Sequence, residues 1–171
     1  MSDESYEARD AVAGRESEAP AACEAEGSHR RPDIDTYFMR IARLVASRAT
    51  CLHRRVGAVI VKGKQIVSTG YNGAAAGHPH CLEIGCARDG VPSGKNMELC
   101  RGAHAEQNAI AFAARYGIPI EGATLYTTLY PCSSCAKSII NAGIQRVIYE
   151  LDYSDPLGRE ILSLIPVEQW R

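Results

Sequence analysis

Apolar positions change their spacing along this chain, and the spacing predicts the elements. Tyr37, Phe38, Ile41, Leu44 and Val45 recur at helical intervals behind Asp33 and Asp35, either of which suits a cap, so a helix is expected to run to about Arg48. Val56–Val61 is a short unbroken apolar run, the mark of a buried strand, and Gln65–Gly70 reads as a second strand. Lys62-Gly63-Lys64 has the length of a hairpin connection, and a Tyr71-Asn72-Gly73 turn is expected after the hairpin. From Ala74 to Gly102 no period is sustained; a loop that long in a compact domain is usually functional or pinned by something. Helical spacing returns at Ala109, Ile110 and Ala113, on a helix expected over Ala103–Tyr116 and closed by Gly117. Then come a strand (Ala123–Leu129), a helix (Ser133–Ala142) ending at Gly143, and a strand (Gln145–Leu151). A helix from about Leu157 to Leu164, opened by Asp155 or Pro156, and a short terminal strand at Val167–Trp170 complete the series. After the first hairpin the order is β-α-β-α-β. It predicts an α/β fold, a three-layer α/β/α sandwich around a mixed five-stranded sheet.

Composition divides the chain in two. Residues 1–31 are rich in Glu, Asp, Ala, Ser and Arg and nearly devoid of large aliphatic side chains. Such a stretch buries too little apolar surface to offset its conformational entropy, so it is expected to be a disordered acidic tail, with at most a marginal helix over Ala8–Ala22 and a free thiol at Cys23. The folded domain is expected over 32–171. The net charge of −1 advertises neither nucleic acid nor an acidic membrane as partner. No apolar run spans a bilayer and no signal-like segment opens the chain, which points to a cytoplasmic protein. In that reducing compartment seven cysteines are better explained by metal than by disulfides.

Two short stretches carry the chemistry: His104-Ala105-Glu106 and Pro131-Cys132-Ser133-Ser134-Cys135. Either alone is weak. Many helices contain H-x-E by chance, and P-C-x-x-C alone is more often half of a structural zinc site or a redox pair. In this order, separated by a helix and a strand, they form the H-x-E…P-C-x-x-C signature of zinc-dependent nucleobase deaminases. Both fall where a helix begins, and helix N-termini favour thiolate over thiol. His104, Cys132 and Cys135 supply three ligands, which leaves a fourth zinc position open for water, as in a catalytic site. Glu106 reaches the site without binding metal and is placed to move protons between water, a ring nitrogen and departing ammonia. The implied reaction is hydrolytic loss of an amino group from an aromatic ring carbon.

The sequence resembles the cytidine deaminase superfamily, and within it the deoxycytidylate (dCMP) deaminase branch. The resemblance runs from about Thr36 to Asp155. It is carried by Val56-Gly57-Ala58-Val59-Ile60-Val61, Gly70-Tyr71-Asn72-Gly73, His104-Ala105-Glu106-Gln107-Asn108-Ala109-Ile110 and Tyr130-Pro131-Cys132-Ser133-Ser134-Cys135-Ala136-Lys137-Ser138-Ile139-Ile140, followed by Ala142-Gly143-Ile144. It implies conversion of dCMP to dUMP for thymidylate synthesis, in a homo-oligomer with a hexamer favoured. It also implies activation by dCTP and inhibition by dTTP, with Mg2+ accompanying the triphosphate. His104, Cys132 and Cys135 carry over as zinc ligands and Glu106 as proton shuttle. Asn72 carries over as the contact to the sugar hydroxyl, against its plainer reading as a turn residue tolerating left-handed backbone. Tyr153 either closes over base or phosphate or lies on the surface.

Some members of that branch bind a second, structural zinc. Cys51, Cys81, Cys86 and Cys100 are the set expected to do so here, with His53, His78 or His80 as a substitute for one ligand. The alternatives are that these cysteines are ordinary buried small side chains, or that Cys100 competes for the catalytic zinc. For the phosphate, Arg48, Arg54, Arg55 and Arg115 are the candidates, Arg115 suiting an interface or allosteric role better. Other readings are a deaminase of free cytidine or deoxycytidine, guanine, a riboflavin precursor or tRNA adenosine, and a non-catalytic zinc-stabilised protein of DNA uptake. Two Phe and one Trp give little stacking surface for RNA.

Overall fold

The computed structural model describes residues 31–171, so the tail expected over 1–31 lies, but for its last residue, outside the described residues. Helix α1 (Ile34–Ala46) opens at Asp33, whose carboxylate accepts the Thr36 backbone N–H at 2.9 Å. Strands β1 (Gly57–Lys62) and β2 (Gln65–Tyr71) form the expected hairpin. Its two connecting residues, Gly63 and Lys64, have φ of 57° and 64°, the double positive φ that a tight hairpin turn requires. Then come β3 (Gly73–Ala74), α2 (Cys81–Ile84), a 3-10 turn (Met97–Leu99) and β4 (Gly102–Ala103). The remaining elements are α3 (Ala105–Arg115), β5 (Thr124–Leu129), α4 (Ser133–Asn141), β6 (Arg146–Leu151), α5 (Pro156–Leu162) and β7 (Val167–Gln169).

The main sheet has the order β2-β1-β5-β6-β7 and is mixed, antiparallel through β2, β1 and β5 and parallel through β5, β6 and β7. Alternation along each strand sorts its side chains onto two faces. Ala58, Ile60, Leu125 and Val147 join Ala109, Ile139 and Leu162 of α3, α4 and α5 in one core. Val59, Val61, Tyr126 and Ile148 join Phe38, Met39 and Ala42 of α1 in the other. The molecule is thus the expected three-layer sandwich with a mixed five-stranded sheet. Each fully buried aliphatic side chain here contributes roughly 1.5–3 kcal/mol.

Polar groups fasten α1 at its first and last turns. The Tyr126 hydroxyl donates to Asp35 at 2.7 Å, and Arg146 pairs with both Asp35 at 3.1 Å and Glu168 at 2.8 Å. Arg43 pairs with Glu150 and lies 4.6 Å from the Trp170 ring centroid.

Two expectations need correction. The Tyr71-Asn72-Gly73 segment is not a reversing turn: it carries the chain from β2 into β3, and neither Asn72 nor Gly73 has positive φ. The long stretch after it is also more ordered than its lack of period suggested. Its ends pair as a two-stranded ribbon, Gly73 with Ala103 and Ala74 with Gly102, too short to leave an alternation in sequence.

Glycine sets the distance between layers. A Cβ on Gly57 would stand 2.1 Å from the Ala42 carbonyl oxygen of α1, and one on Gly70 would stand 2.2 Å from the Ala105 carbonyl oxygen of α3. Both helices therefore press backbone against backbone, and α3 is seated at its N-terminal turn, where His104 and Glu106 lie. Gly57→Ala and Gly70→Ala are each expected to cost about 3 kcal/mol of stability, because backbone cannot give way as a side chain does. Urea denaturation of the two variants checks this.

Candidate metal and active site

The C-terminal ends of β2, β5 and β6 and the N-terminal end of β1 all fall at one end of the sheet, as the pairing registers require. Helices α4 and α5 start from that end, the position where parallel α/β sheets hold their ligands. His104 is the residue immediately before α3 and Cys132 the residue immediately before α4. Cys135 lies within the first turn of α4. The His104 Nδ1 atom is 3.4 Å from the Cys132 sulfur and 3.3 Å from the Cys135 sulfur. Ligand atoms of all three lie within 4.8 Å of one another, the only such His/Cys/Asp/Glu group of three among the described residues. One imidazole nitrogen and two sulfurs at this spacing are a donor set that fits zinc, with one position left open in a tetrahedron.

Electrostatics separates the two thiols. The Cys132 sulfur accepts from the Cys135 thiol and from His104, and these bonds pull its pKa down to about 4. The Cys135 thiol is pushed up because it donates to Cys132 and is fully buried. His104 is shifted up, chiefly by its bond to Cys132. Glu106 is only 4 % exposed, its Oε2 lies 3.5 Å from the Cys135 sulfur, and burial pushes its pKa up.

Neighbouring residues tie the two ligand-bearing helices together. Gln107 accepts the His104 backbone N–H at 3.1 Å and donates to the Ser134 hydroxyl at 3.2 Å, linking the first turns of α3 and α4. Asn108 donates to the Tyr71 carbonyl at 2.7 Å and holds α3 to the end of β2. Asp155 accepts from Ser133 N–H at 2.8 Å and from Gly158 N–H at 2.9 Å, so one carboxylate caps α5 and holds the turn that carries Cys132. A Cβ on Gly158 would stand 3.0 Å from the Pro131 carbonyl oxygen, so α5 presses directly on that turn. Gln107 had a readable signal, since it stands three residues after a helix cap, where capping-box side chains stand. The bond from Ser133 to Asp155 is tertiary and left no local trace.

A cavity of about 690 Å3 opens above the cluster, lined by His104, Glu106, Cys132, Asn72, Tyr153 and Arg54 among others. The Asn72 side chain is engaged in structure: its Oδ1 accepts Val56 N–H at 2.8 Å and its amide donates to the Arg54 carbonyl at 2.9 Å. Tyr153 is half-buried, with the Arg54 guanidinium 5.7 Å from its ring centroid. Of the other basic candidates, Arg55 lines a neighbouring groove and Arg115 lies by Tyr116 at the far end of α3. Arg48 lines neither the cavity nor the groove.

Cys51, Cys81, Cys86 and Cys100 line the same cavity wall. Burial raises the Cys81 thiol, and the nearby Cys86, Cys51 and Cys100 raise it further. Their sulfurs are not drawn to the mutual spacing that His104, Cys132 and Cys135 reach. Of the substitute ligands, His53 lines the cavity, and His80 meets the Thr50 hydroxyl at 3.1 Å through Nδ1.

Fold and cluster together define a metal-dependent α/β protein whose site is assembled from two helix N-termini. The family model for the cytidine and deoxycytidylate deaminase zinc-binding region matches residues 32–151, and the chain belongs to this family. ComE operon protein 2 of Bacillus subtilis (strain 168) is 42% identical over 136 residues, 78% of this chain and 69% of that protein. Deoxycytidylate deaminase of Schizosaccharomyces pombe is 41% identical over 126 residues, 72% of this chain but only 39% of that protein. Among solved structures, dCMP deaminase from the cyanophage S-TIM5, in complex with dCMP and dUMP, superposes with a TM-score of 0.69. It is 32% identical, and the match covers 83% of this chain and 100% of that one.

The two backbone bonds hold the Asp155 carboxyl below the usual carboxylate range. A depressed folded pKa adds stability above the ordinary Asp value of about 3.9, and that stability is lost as pH falls through the folded value. Asp155→Ala is expected to cost about 1 kcal/mol near neutral pH, a typical cap loss. The gap from wild type should narrow below about pH 4, as denaturation curves at several pH values would show.

Proposed function

We propose that the protein is a zinc-dependent hydrolase that deaminates dCMP to dUMP and releases ammonia. The observation that carries this reading is Glu106, a carboxylate 4 % exposed on the floor of a ligand-sized cavity beside His104, Cys132 and Cys135. A buried carboxylate is costly, and a purely structural zinc site has no use for one that is not a ligand. His104, Cys132 and Cys135 would hold the metal, which when bound supplies Lewis-acid activation of water. Glu106 would take one proton from the attacking water and give it to the ring nitrogen, then take the second proton from the newly added hydroxyl and pass it to the leaving amine. The ring carbon gains a bond to oxygen and loses its bond to nitrogen. Gln107 and Asp155 keep the two helix starts in register for this work. Support for dCMP as substrate comes from family membership and from the S-TIM5 enzyme's likeness over that enzyme's whole length.

The proposal extends to a second, structural zinc on Cys51, Cys81, Cys86 and Cys100, supported by four thiols on one wall of the cavity. It also extends to a homo-oligomer, a hexamer favoured, with dCTP and dTTP control accompanied by Mg2+; family membership alone supports these. A second reading, a non-catalytic zinc-stabilised protein of DNA uptake, has the likeness to ComE operon protein 2 behind it. Glu106 counts against it.

Ammonia release from dCMP, CMP, deoxycytidine and dCTP, each with and without added dCTP or dTTP, tests the assignment. Turnover of dCMP should exceed that of deoxycytidine; equal rates would overturn the nucleotide reading. Glu106→Gln should keep its zinc and lose on the order of 10²- to 10⁴-fold in rate. An unimpaired variant would refute the proton-transfer role. Metal analysis of fully loaded protein should find two zinc ions per chain, and a single ion would remove the second site.

A further inference from the structure

The loop between β3 and β4 lines the cavity with Cys81, Cys86 and Cys100, and Thr50 fastens the start of that loop to the rest of the domain. Three pieces of chain meet at Thr50. Its hydroxyl meets His80 Nδ1 at 3.1 Å, and a hydroxyl can bond either tautomer of the ring. Its backbone N–H donates to the Asn72 carbonyl at 3.2 Å. Gly73 completes the contact. A Cβ there would stand 2.6 Å from the Thr50 Oγ1, so a bare backbone is what lets the hydroxyl sit where it does. Each partner leads further into the fold. His80 caps α2, where its carbonyl accepts the Glu83 N–H at 2.9 Å and its own N–H donates to the Glu83 carboxylate at 2.9 Å. Cys51 follows Thr50 and Cys81 follows His80, so one bond sets two cysteine-bearing segments side by side. On the other side Gly73 pairs with Ala103, so the β3–β4 ribbon is the body to which Thr50 ties the start of α2.

We infer that Thr50 is a positioning residue: its hydroxyl holds the start of α2 against the ribbon and so sets the shape of the cavity wall. α2 has only four residues, and a helix of that length does not hold itself in water. The bond to His80 is directional and partly buried, so it fixes a register that apolar contact alone would leave loose. Glu106 and the turn that carries Cys132 are held by other means, through Gln107, Asn108 and Asp155. Loss of the Thr50 hydroxyl therefore loosens the wall and spares the chemical centre. In terms of substrate, which rest on the deaminase reading of the site, that is a weaker hold on the bound nucleotide with the chemical step kept.

The test compares the full-length, zinc-loaded wild type with Thr50→Val, which keeps the shape and loses the hydroxyl, and with Thr50→Ser, which keeps the hydroxyl. Gly73→Ala reaches the same bond from the other side, by displacing the hydroxyl. In Thr50→Val, amide hydrogen exchange should run about 5- to 10-fold faster at Glu83, Ile84 and Gly85, as for the loss of one hydrogen bond, and stay unchanged over α4. KM for dCMP should rise about 5-fold, with kcat held within about twofold. Thr50→Ser should restore both readings. Gly73→Ala should reproduce Thr50→Val, and the double variant should be no worse than either single one. Unchanged exchange in α2 of Thr50→Val, a fall in kcat at constant KM, or no rescue by Thr50→Ser would overturn the assignment. Exchange that quickens equally in α4 would also overturn it, by showing general destabilisation. A wild type inactive on dCMP would overturn the deaminase reading alone, and exchange in α2 would still decide the role of Thr50.

Discussion

Two thiols, an imidazole and a carboxylate share one largely buried corner of this fold, and most of the architecture around them follows from that crowding. Polar groups out of water must find partners or be used. The two helix starts supply the setting: His104 precedes α3 and Cys132 precedes α4, so free backbone N–H groups and partial positive charge converge where thiolate is wanted. Convergence demands that the helices sit close and do not rock. Gly70 removes the Cβ that would hold α3 off the sheet, and Gly158 does the same for α5 against the Pro131–Ser133 turn. The bridge from Gln107 to Ser134 and the paired bonds of Asp155 then fix the remaining freedom.

Regular elements were legible because their cores alternate cleanly. Val56–Val61 and Ala123–Leu129 announced strands, and the β-α-β-α-β order selected the three-layer sandwich. Boundaries moved by at most two residues, for physical reasons. His104 is a cap with extended backbone, so α3 begins at Ala105 and not at Ala103, whereas α4 begins at Ser133 as expected, after its own cap Cys132. The ribbon of β3 and β4 was invisible because two residues per strand leave no period to read, and its register depends on a partner far away in sequence. The His104, Cys132 and Cys135 cluster was legible for a different reason. Ligand chemistry restricts residue type, and the two halves lie on neighbouring helix starts that the β5–α4 unit must bring together.

Asn72 shows where motif reading stops. Its type and position marked it as important, yet the reason lies in bonds to Arg54 and Val56 that no local pattern encodes. An asparagine offers one acceptor and one two-proton donor on a rigid amide, which suits it to fasten a backbone carbonyl and a backbone N–H three atoms of chain apart. The same group still faces the cavity, so a structural duty and a ligand contact are compatible in one side chain.

The division of labour between floor and rim follows from dielectric environment. Groups that move protons gain from burial, because the field between them is unscreened and water cannot compete. A group that must capture a phosphate from solution works better at the edge, where its own charge costs little before binding and its donors stay hydrated until the ligand replaces that water. Glu106 occupies the first environment, and the exposed Arg54 lies in the second. The loop that lines the cavity with them is the least regular part of the domain, and it carries three of the four cysteines proposed for a second metal. Irregular backbone with few apolar contacts holds its shape only when something else fixes it. A metal there would rigidify one side of the cavity that Tyr153 also lines, so that bracing this loop and shaping the cavity become one physical problem.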